Sequence, residues 1–555
     1  MKEKLQNLIK NRNTIDFLLI IALAIILFIP TFNKNLDVYI DDGIQHIARA
    51  YGTLEAIKAD GIFAKVIPTF TNGYGYSWDL FYGPLSTWGV IILELIFRNY
   101  IVAYKLFCFI CMVLSGVCMH KFMIKLTRNQ DASMLATALY MTFPYHLNDL
   151  YLRNALGEYV AFIFIPLVFL GLYNLFNTSD NYYQLPLGAI GLLLTHNLTT
   201  FITAFFGLLY VVFHFKNLKE TRVKKGLVIS FLFIVLVTMF FWAPMIETKL
   251  AANYHVYEQD AMASPEFVAS RALGLSQLFV TSAKSSHVLE IGIHIIIMLC
   301  FTYMTFKLLK EGIKKEYTFF LVGAIISIIL ATKLFPWKYM PYIIRMIQFP
   351  WRMMGFFGFF TSIICAVNMS VVLKNYSLKD VIVISLISLC YVCAFYGYIH
   401  YGEMFRIEDY SIGNVSGRDG EVIIGMGRGE YLPEKAYNNR FYIATKENSI
   451  YVLEGKAVVE EEKKEGSNYY AKIKTIEEDS KFEVPYVYYP GYEVRTDGII
   501  NNYYETENGL IGVDIEKNDE VTLEVRYVGT NVMKISAVIS FISAIVFAVY
   551  IWKKS

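Results

Sequence analysis

The sequence predicts an α-helical polytopic membrane protein of about twelve transmembrane helices, with a C-terminal β-rich, sandwich-like domain outside the cytoplasm. Three observations carry this expectation. The chain of 555 residues is 55% hydrophobic with only 18% charged residues, and its mean hydropathy is +0.43. The charges are bunched between apolar runs of about 20 residues, the length that a helix needs to cross a hydrocarbon core of roughly 30 Å. From Gly402 to Thr530 the pattern changes to polar segments with period-two alternation, such as KAVVEEEKK and VTLEVRYV, which is the signature of antiparallel strands.

The first span covers Phe17–Phe32. The basic segment MKEKLQNLIKNR precedes it and no small-residue cleavage site follows it, so it reads as an uncleaved span with the N-terminus in the cytoplasm. Further spans are expected near 101–120, 131–147, 158–177, 184–197, 199–215, 226–244, 290–309, 318–334, 353–374, 379–399 and 533–552. Lys121, Lys125, Arg128, the run Lys216–Lys225, the run Lys310–Lys315 and the closing Lys553 and Lys554 then all fall inside, as the preference of cytoplasmic loops for Lys and Arg requires. The apolar stretch 84–97 is short and carries Glu94. Letting it cross would invert every later basic loop, so it is read as an interfacial or re-entrant helix.

The expected organisation is therefore a transmembrane domain over 1–399 with outer loops 33–100 and 245–289, a β-rich domain over 400–532, and a final helix with a cytoplasmic tail over 533–555. The location is the cell membrane. The net charge of +2 says nothing about partners, because the distribution matters and the sum does not. No basic domain points to nucleic acid, so no nucleic-acid partner is expected. All seven cysteines lie in apolar runs, including the pair Cys390 and Cys393. They suggest neither a disulfide framework nor a metal site.

This topology gathers unusual ionisable residues on the outer side: Asp41, Asp42 and His46 after the first span, Arg153 and Glu158, His196 and Asn197 in a tight turn, Glu247, and Arg352. Charges at membrane depth are costly and mark function or a wet site. Asp42 and His46 stand at i and i+4, on one face of a helix, where a carboxylate beside an imidazole suits a base with an orienting partner or a metal ligand pair. One of Asp41 and Asp42 is expected to cap that helix and the other to face the site. The run RMIQFPWRMMGFF sets Gln348, Trp351 and Arg352 at a Pro-broken helix start, where a guanidinium is placed against the dipole preference and suits a phosphate. The loop NGYGYSWDLFYGPLSTW supplies aromatics, among them Trp78 and Tyr82. Such residues anchor interfaces and also pack on sugar C–H groups.

These same blocks carry a resemblance. DDGIQHIARAYGTLEAIKADGIFAKVIP, NGYGYSWDLFYGPLSTW, RNALGEY, LLLTHNLTTF and QFPWRMMGF resemble, in order, a bacterial membrane family labelled 6-pyruvoyl-tetrahydropterin synthase-related. YYPGYEVRTDG and GLIGVDIEKNDEVTLEVRYVGT are similar to the end of YfhO-type proteins. Both groups resemble GT-C class glycosyltransferases. That likeness implies a GT-C-like helical domain and a sugar donor linked to polyprenyl phosphate. It also implies a cell-envelope glycan or glycolipid acceptor, and an acidic residue in the first outer loop. It carries over to Asp41, Asp42, His46, Glu158, His196 and Arg352. The SWD at Ser77–Asp79 departs from the pattern, where related sequences often show a proline. No further acidic pair is present, so no cofactor is assigned and a divalent cation is left open.

The expected activity is an inverting transfer with Asp41 or Asp42 as general base, helped by His46. Arg352 and Arg153 would stabilise the departing phosphate, while Glu158 and His196 bind sugar hydroxyls or position the base. Two other classes stand beside it. A lipid or glycan transporter or flippase would call for inverted repeats and midplane broken helices. A non-catalytic envelope scaffold would tolerate loss of both aspartates.

Overall fold

The computed structural model describes residues 12–31, 42–178, 181–258, 260–279, 289–372, 429–476, 479–517 and 520–554. Asp41, the expected span 379–399 and the CxxC pair lie outside the described residues.

Among the described residues, Tyr100–Thr127, Leu156–Asn177, Pro350–Val371 and Asn531–Lys554 are helices long and apolar enough to cross a membrane. A fifth is reached if Thr221–Val237 and Met239–Ala251, bent by 65°, act as one span. The count of about twelve is thus not reached among these residues, which leave out the expected span 379–399. Elsewhere breakage and length contribute, and the 21-residue helix Glu311–Ala331 starts with four charged residues in its first six. The expected span 131–147 divides into Gln130–Met141 and Pro144–Tyr151, because Pro144 has no N–H to continue the ladder and restricts the residue before it. The expected span 290–309 divides into Ile293–Leu299 and Thr302–Leu308. Gln184–Leu193 and Asn197–Phe213 are apolar but shorter than 18 residues. Leu85–Phe97 has 13 residues, about 20 Å at the helical rise, too short to cross alone.

Sequence signals set the ends of these helices. Asn99 accepts a hydrogen bond from the Val102 N–H at 3.0 Å and Asn129 one from Ala132 at 3.0 Å, each an N-cap that satisfies an otherwise orphaned donor. The bend at Thr238 is stitched by Ser540 of the last helix. Its Oγ accepts from the Phe240 N–H at 2.9 Å and donates to the Leu236 carbonyl at 3.0 Å. Backbone groups freed by the bend are thereby paired, as an apolar surrounding demands.

The C-terminal part forms two antiparallel sheets. One has the order β1 (Tyr451–Glu454), β4 (Ser480–Val487), β8 (Leu510–Ile515), β7 (Tyr504–Glu505). The other has the order β2 (Ala457–Glu465), β3 (Asn468–Thr475), β9 (Val521–Tyr527), β5 (Tyr492–Thr496), β6 (Ile499–Asn501). The alternation expected from sequence is visible in β9, where Val521, Leu523, Val525 and Tyr527 are buried. They share one cluster with Phe482, Val484 and Val513 of the other sheet. The exposed edge strand β2 is rich in Glu and Lys, which discourages pairing with another chain.

The loop after the helix Gly43–Asp60 docks on these sheets. Asn72 donates to the carbonyls of Ile443 and Lys446 at 3.2 and 3.0 Å, and Val487 N–H donates to Tyr74 O at 2.8 Å. The Lys464 ammonium donates to Gly73 O, Asn448 Oδ1 and Pro485 O at 2.6, 2.8 and 2.9 Å. All three of its protons are used. The loop that carries Trp78 and Tyr82 is therefore held between the sheets and the helices.

Candidate functional site

Five separate stretches of sequence meet at one buried polar cluster. Its centre is Arg153, at the end of the helix Pro144–Tyr151. Arg153 Nη1 donates to Asp149 Oδ1 at 2.5 Å, one helical turn back, and to Glu158 Oε2 at 2.9 Å. Tyr145 donates its hydroxyl to Glu158 Oε1 at 2.6 Å. Arg352 approaches the same carboxylate, its Nε lying 3.5 Å from Glu158 Oε2, and donates through Nη1 to Ile347 O at 2.7 Å and Gln348 Oε1 at 3.4 Å. Trp351 stands under the Arg153 guanidinium at 4.6 Å. Arg153, Glu158 and Asp149 are all nearly inaccessible. Two guanidinium groups thus face two carboxylates, the pairing that buried charges require.

The first aspartate block joins through its backbone. Asp42 occupies the N-cap position of Gly43–Asp60, but its side chain makes no capping hydrogen bond. Its N–H instead donates to the Arg153 carbonyl at 3.0 Å. Asp42 is close enough to interact by charge with Arg153 and with Tyr82. The close contact needs a glycine next door, since a Cβ on Gly43 would lie 2.8 Å from Asn154 Cβ. Asn154 and Gln348 both take left-handed conformations, with φ of 50° and 63°, so two site turns hold backbone shapes that non-glycine residues seldom adopt.

His46 follows one turn after Asp42, and its N–H donates to Asp42 O at 3.2 Å. Its ring packs against Tyr82 with centroids 5.9 Å apart. Burial, with Arg49 and His196 nearby, pushes its pKa down to about 3, so it is a neutral imidazole at physiological pH. Tyr82 also meets His196, centroids 6.3 Å apart, and burial pushes its phenol pKa up. His196 caps the helix Asn197–Phe213, its Nδ1 accepting from the Thr199 N–H at 3.3 Å and lying 2.7 Å from Thr199 Oγ1. Asn197 donates to Phe81 O at 3.3 Å, tying that turn to the aromatic loop.

Two of the residues singled out from sequence lie elsewhere. Trp78 packs against Phe70 and Tyr76, centroids 5.9 and 5.4 Å away, in the core that the loop shares with the sheets. Glu247 accepts from the Thr530 hydroxyl at 2.6 Å, at the joint between β9 and the last helix. Four other residues belong to the site or its support and were not singled out: Asp149, Tyr145, Arg49 and Asp79. Arg49 is paired with Asp79 at 2.8 Å, Thr53 donates to the same carboxylate at 2.9 Å, and the Arg49 guanidinium sits 4.8 Å over the Tyr82 ring. The SWD departure therefore supplies the counter-charge that fixes Tyr82. Among the described residues, no group of three or more His, Cys, Asp or Glu side chains is arranged to hold a metal ion.

Comparison with known proteins covers part of the chain that builds this site. A protein of Lactococcus lactis subsp. cremoris (strain MG1363), described as "Uncharacterized protein", is 26% identical over 351 residues, covering 59% of this chain and 55% of its own length. The chain thus spans about half the length of that relative. The model of the family described as "6-pyruvoyl-tetrahydropterin synthase related domain; membrane protein" matches residues 80–399. That stretch contains Tyr82, Arg153, Glu158, His196 and Arg352 and leaves Asp42, His46 and the two sheets outside it. With more than half of its length matched, the chain belongs to the 6-pyruvoyl-tetrahydropterin synthase related family of membrane proteins.

Proposed function

We propose that this membrane protein is a glycosyltransferase that works on the extracytoplasmic side, with both termini in the cytoplasm and the β sheets outside. It moves a sugar from a polyprenyl-phosphate-linked donor to an envelope glycan or glycolipid. The observation that carries this reading is the backbone link from Asp42 to Arg153, which sets a carboxylate beside a paired guanidinium cluster. In the reaction, the Asp42 carboxylate, or that of Asp41, takes the proton of an acceptor hydroxyl as its oxygen attacks the anomeric carbon. The bond from that carbon to the phosphate oxygen breaks, and the electron pair leaves with the polyprenyl phosphate. Inversion follows from a single displacement. General-base help of this kind is worth about 10²–10⁴-fold, and charge stabilisation of the departing phosphate by Arg352 and Arg153 contributes further. His46, neutral at physiological pH, orients groups through hydrogen bonds and adds no charge.

The reading is tested in the host by comparing wild type with a deletion strain. Loss of one envelope sugar together with accumulation of a polyprenyl-phosphate sugar in the lipid extract supports transfer. Unchanged glycans and lipids in the deletion point to a scaffold.

A further inference from the structure

Arg345 is a cation that the cluster does not use. It ends the four-residue helix Tyr342–Arg345, and its carbonyl accepts from the Gln348 N–H at 2.9 Å, one turn before Arg352. Its Nε and Nη1 are buried, yet among the described residues neither has a hydrogen-bond partner. Its neighbours in kind are engaged: Arg352 and Arg153 as described above, and Arg271 over the Phe267 ring at 4.9 Å. The side chain as a whole is half-buried, and its two enclosed nitrogens without an acceptor carry a desolvation cost that an anion would offset.

The surroundings say which kind of anion. In the stretch of chain around Arg345, Tyr339, Ile343 and Met346 are 80%, 64% and 41% exposed, and a chain of CH₂ groups could cover them. A ladder of cations and rings passes through Phe349, four residues after Arg345. Arg271 lies over Phe267, Phe267 meets Phe349 at 5.8 Å, and Phe349 lies under Arg352 at 4.9 Å. Phe349 also meets Trp351 at 4.9 Å, and Trp351 lies under Arg153. The ladder leads from an exposed cation to the centre of the site.

We propose that Arg345 holds the phosphate of an anionic membrane lipid whose chains lie along Tyr339, Ile343 and Met346, and that the lipid docks there before its phosphate reaches Arg352. The second half rests on the reading above that Arg352 receives a lipid phosphate; the binding site itself does not.

The test uses the full chain in phosphatidylcholine nanodiscs, with fluorescent phosphatidic acid as probe and matched phosphatidylcholine as control. Arg345→Gln is expected to weaken phosphatidic acid binding about tenfold, the loss of one charge-assisted contact, and Arg345→Lys to weaken it less. Inorganic phosphate at millimolar concentration should not displace the probe. Should Arg345→Gln fail to fold, Ile343→Ser on the exposed face reads the same site and is expected to weaken phosphatidic acid binding several-fold. Wild-type affinity in whichever of these two variants folds overturns the proposal, as does full displacement by inorganic phosphate, which would mark a free-anion site. Phosphatidic acid binding lost in Arg345→Gln, with no sugar transfer ever found in the host, would remove the proposed reaction and leave this lipid site standing.

Discussion

Arg153 and Glu158 are five residues apart, and their side chains meet at 2.9 Å in a setting almost closed to solvent. The pair is shared: Asp149 holds the same guanidinium nitrogen and Arg352 approaches the same carboxylate. Removing one member leaves an uncompensated buried charge, which costs about 3–5 kcal/mol. Glu158→Ala should therefore destabilise the detergent-solubilised protein by that order, read from its unfolding in denaturant. Stability equal to wild type would mean the four charges do not act as a unit.

Arg49 and Asp79 form a second buried pair that supports Tyr82. Arg49→Met leaves the Asp79 carboxylate with the Thr53 hydroxyl and the charge interaction with Lys65, without its paired guanidinium, and should cost about 3–5 kcal/mol. Adding Asp79→Leu should recover part of that loss, because the pair is more easily replaced than broken. A double variant no better than Arg49→Met would show that the pair contributes only locally.

Gly157 is required by closeness. A Cβ there would come within 2.3 Å of the Tyr82 hydroxyl and 2.9 Å of the Thr195 carbonyl. Gly157→Ala should displace Tyr82 and abolish function. Tyr82→Phe in the same chain should relieve part of the clash and restore membrane levels in part, measured by quantitative immunoblot. Full tolerance of Gly157→Ala alone would contradict the packing described.

His46 makes a pH prediction. Burial lowers its pKa to about 3, below the unfolded value near 6.5. Between these values the unfolded chain binds the proton and the folded one does not, so stability falls as pH drops from about 6.5 toward 3. His46→Gln removes this contribution, and its melting temperature should fall less over that window than that of wild type. Parallel acid limbs for the two proteins would place the His46 ring in water.

Much of the site was legible because its residues are chemically out of place: charges beside apolar runs, and glycine or proline next to them. Asp42, His46, Glu158, His196 and Arg352 stood out on those grounds, and the fold brings their blocks together. Asp149 was legible in principle, since LNDLYLR sets it one turn from Arg153 on a helix. The Arg49–Asp79 pair was not, because nothing local links residues 30 positions apart. Trp78 shows the limit of composition: an aromatic loop reads alike whether its rings meet a sugar or a β-sheet core. Among the described residues, the expected span 131–147 is divided for a related reason. A hydropathy run through Met141–Pro144 looks continuous, whereas the proline divides it.

The most direct test of the account is Asp42→Asn, expressed in a deletion strain at wild-type membrane levels, with envelope glycans and lipid-linked sugars profiled together. Asp41→Asn serves as its companion. The account predicts that one of the two variants loses the same sugar modification as the deletion and accumulates the same polyprenyl-phosphate sugar. If both variants retain every modification that the deletion removes, these carboxylates are not the base, and the transfer mechanism built on Asp42 and Arg153 is wrong.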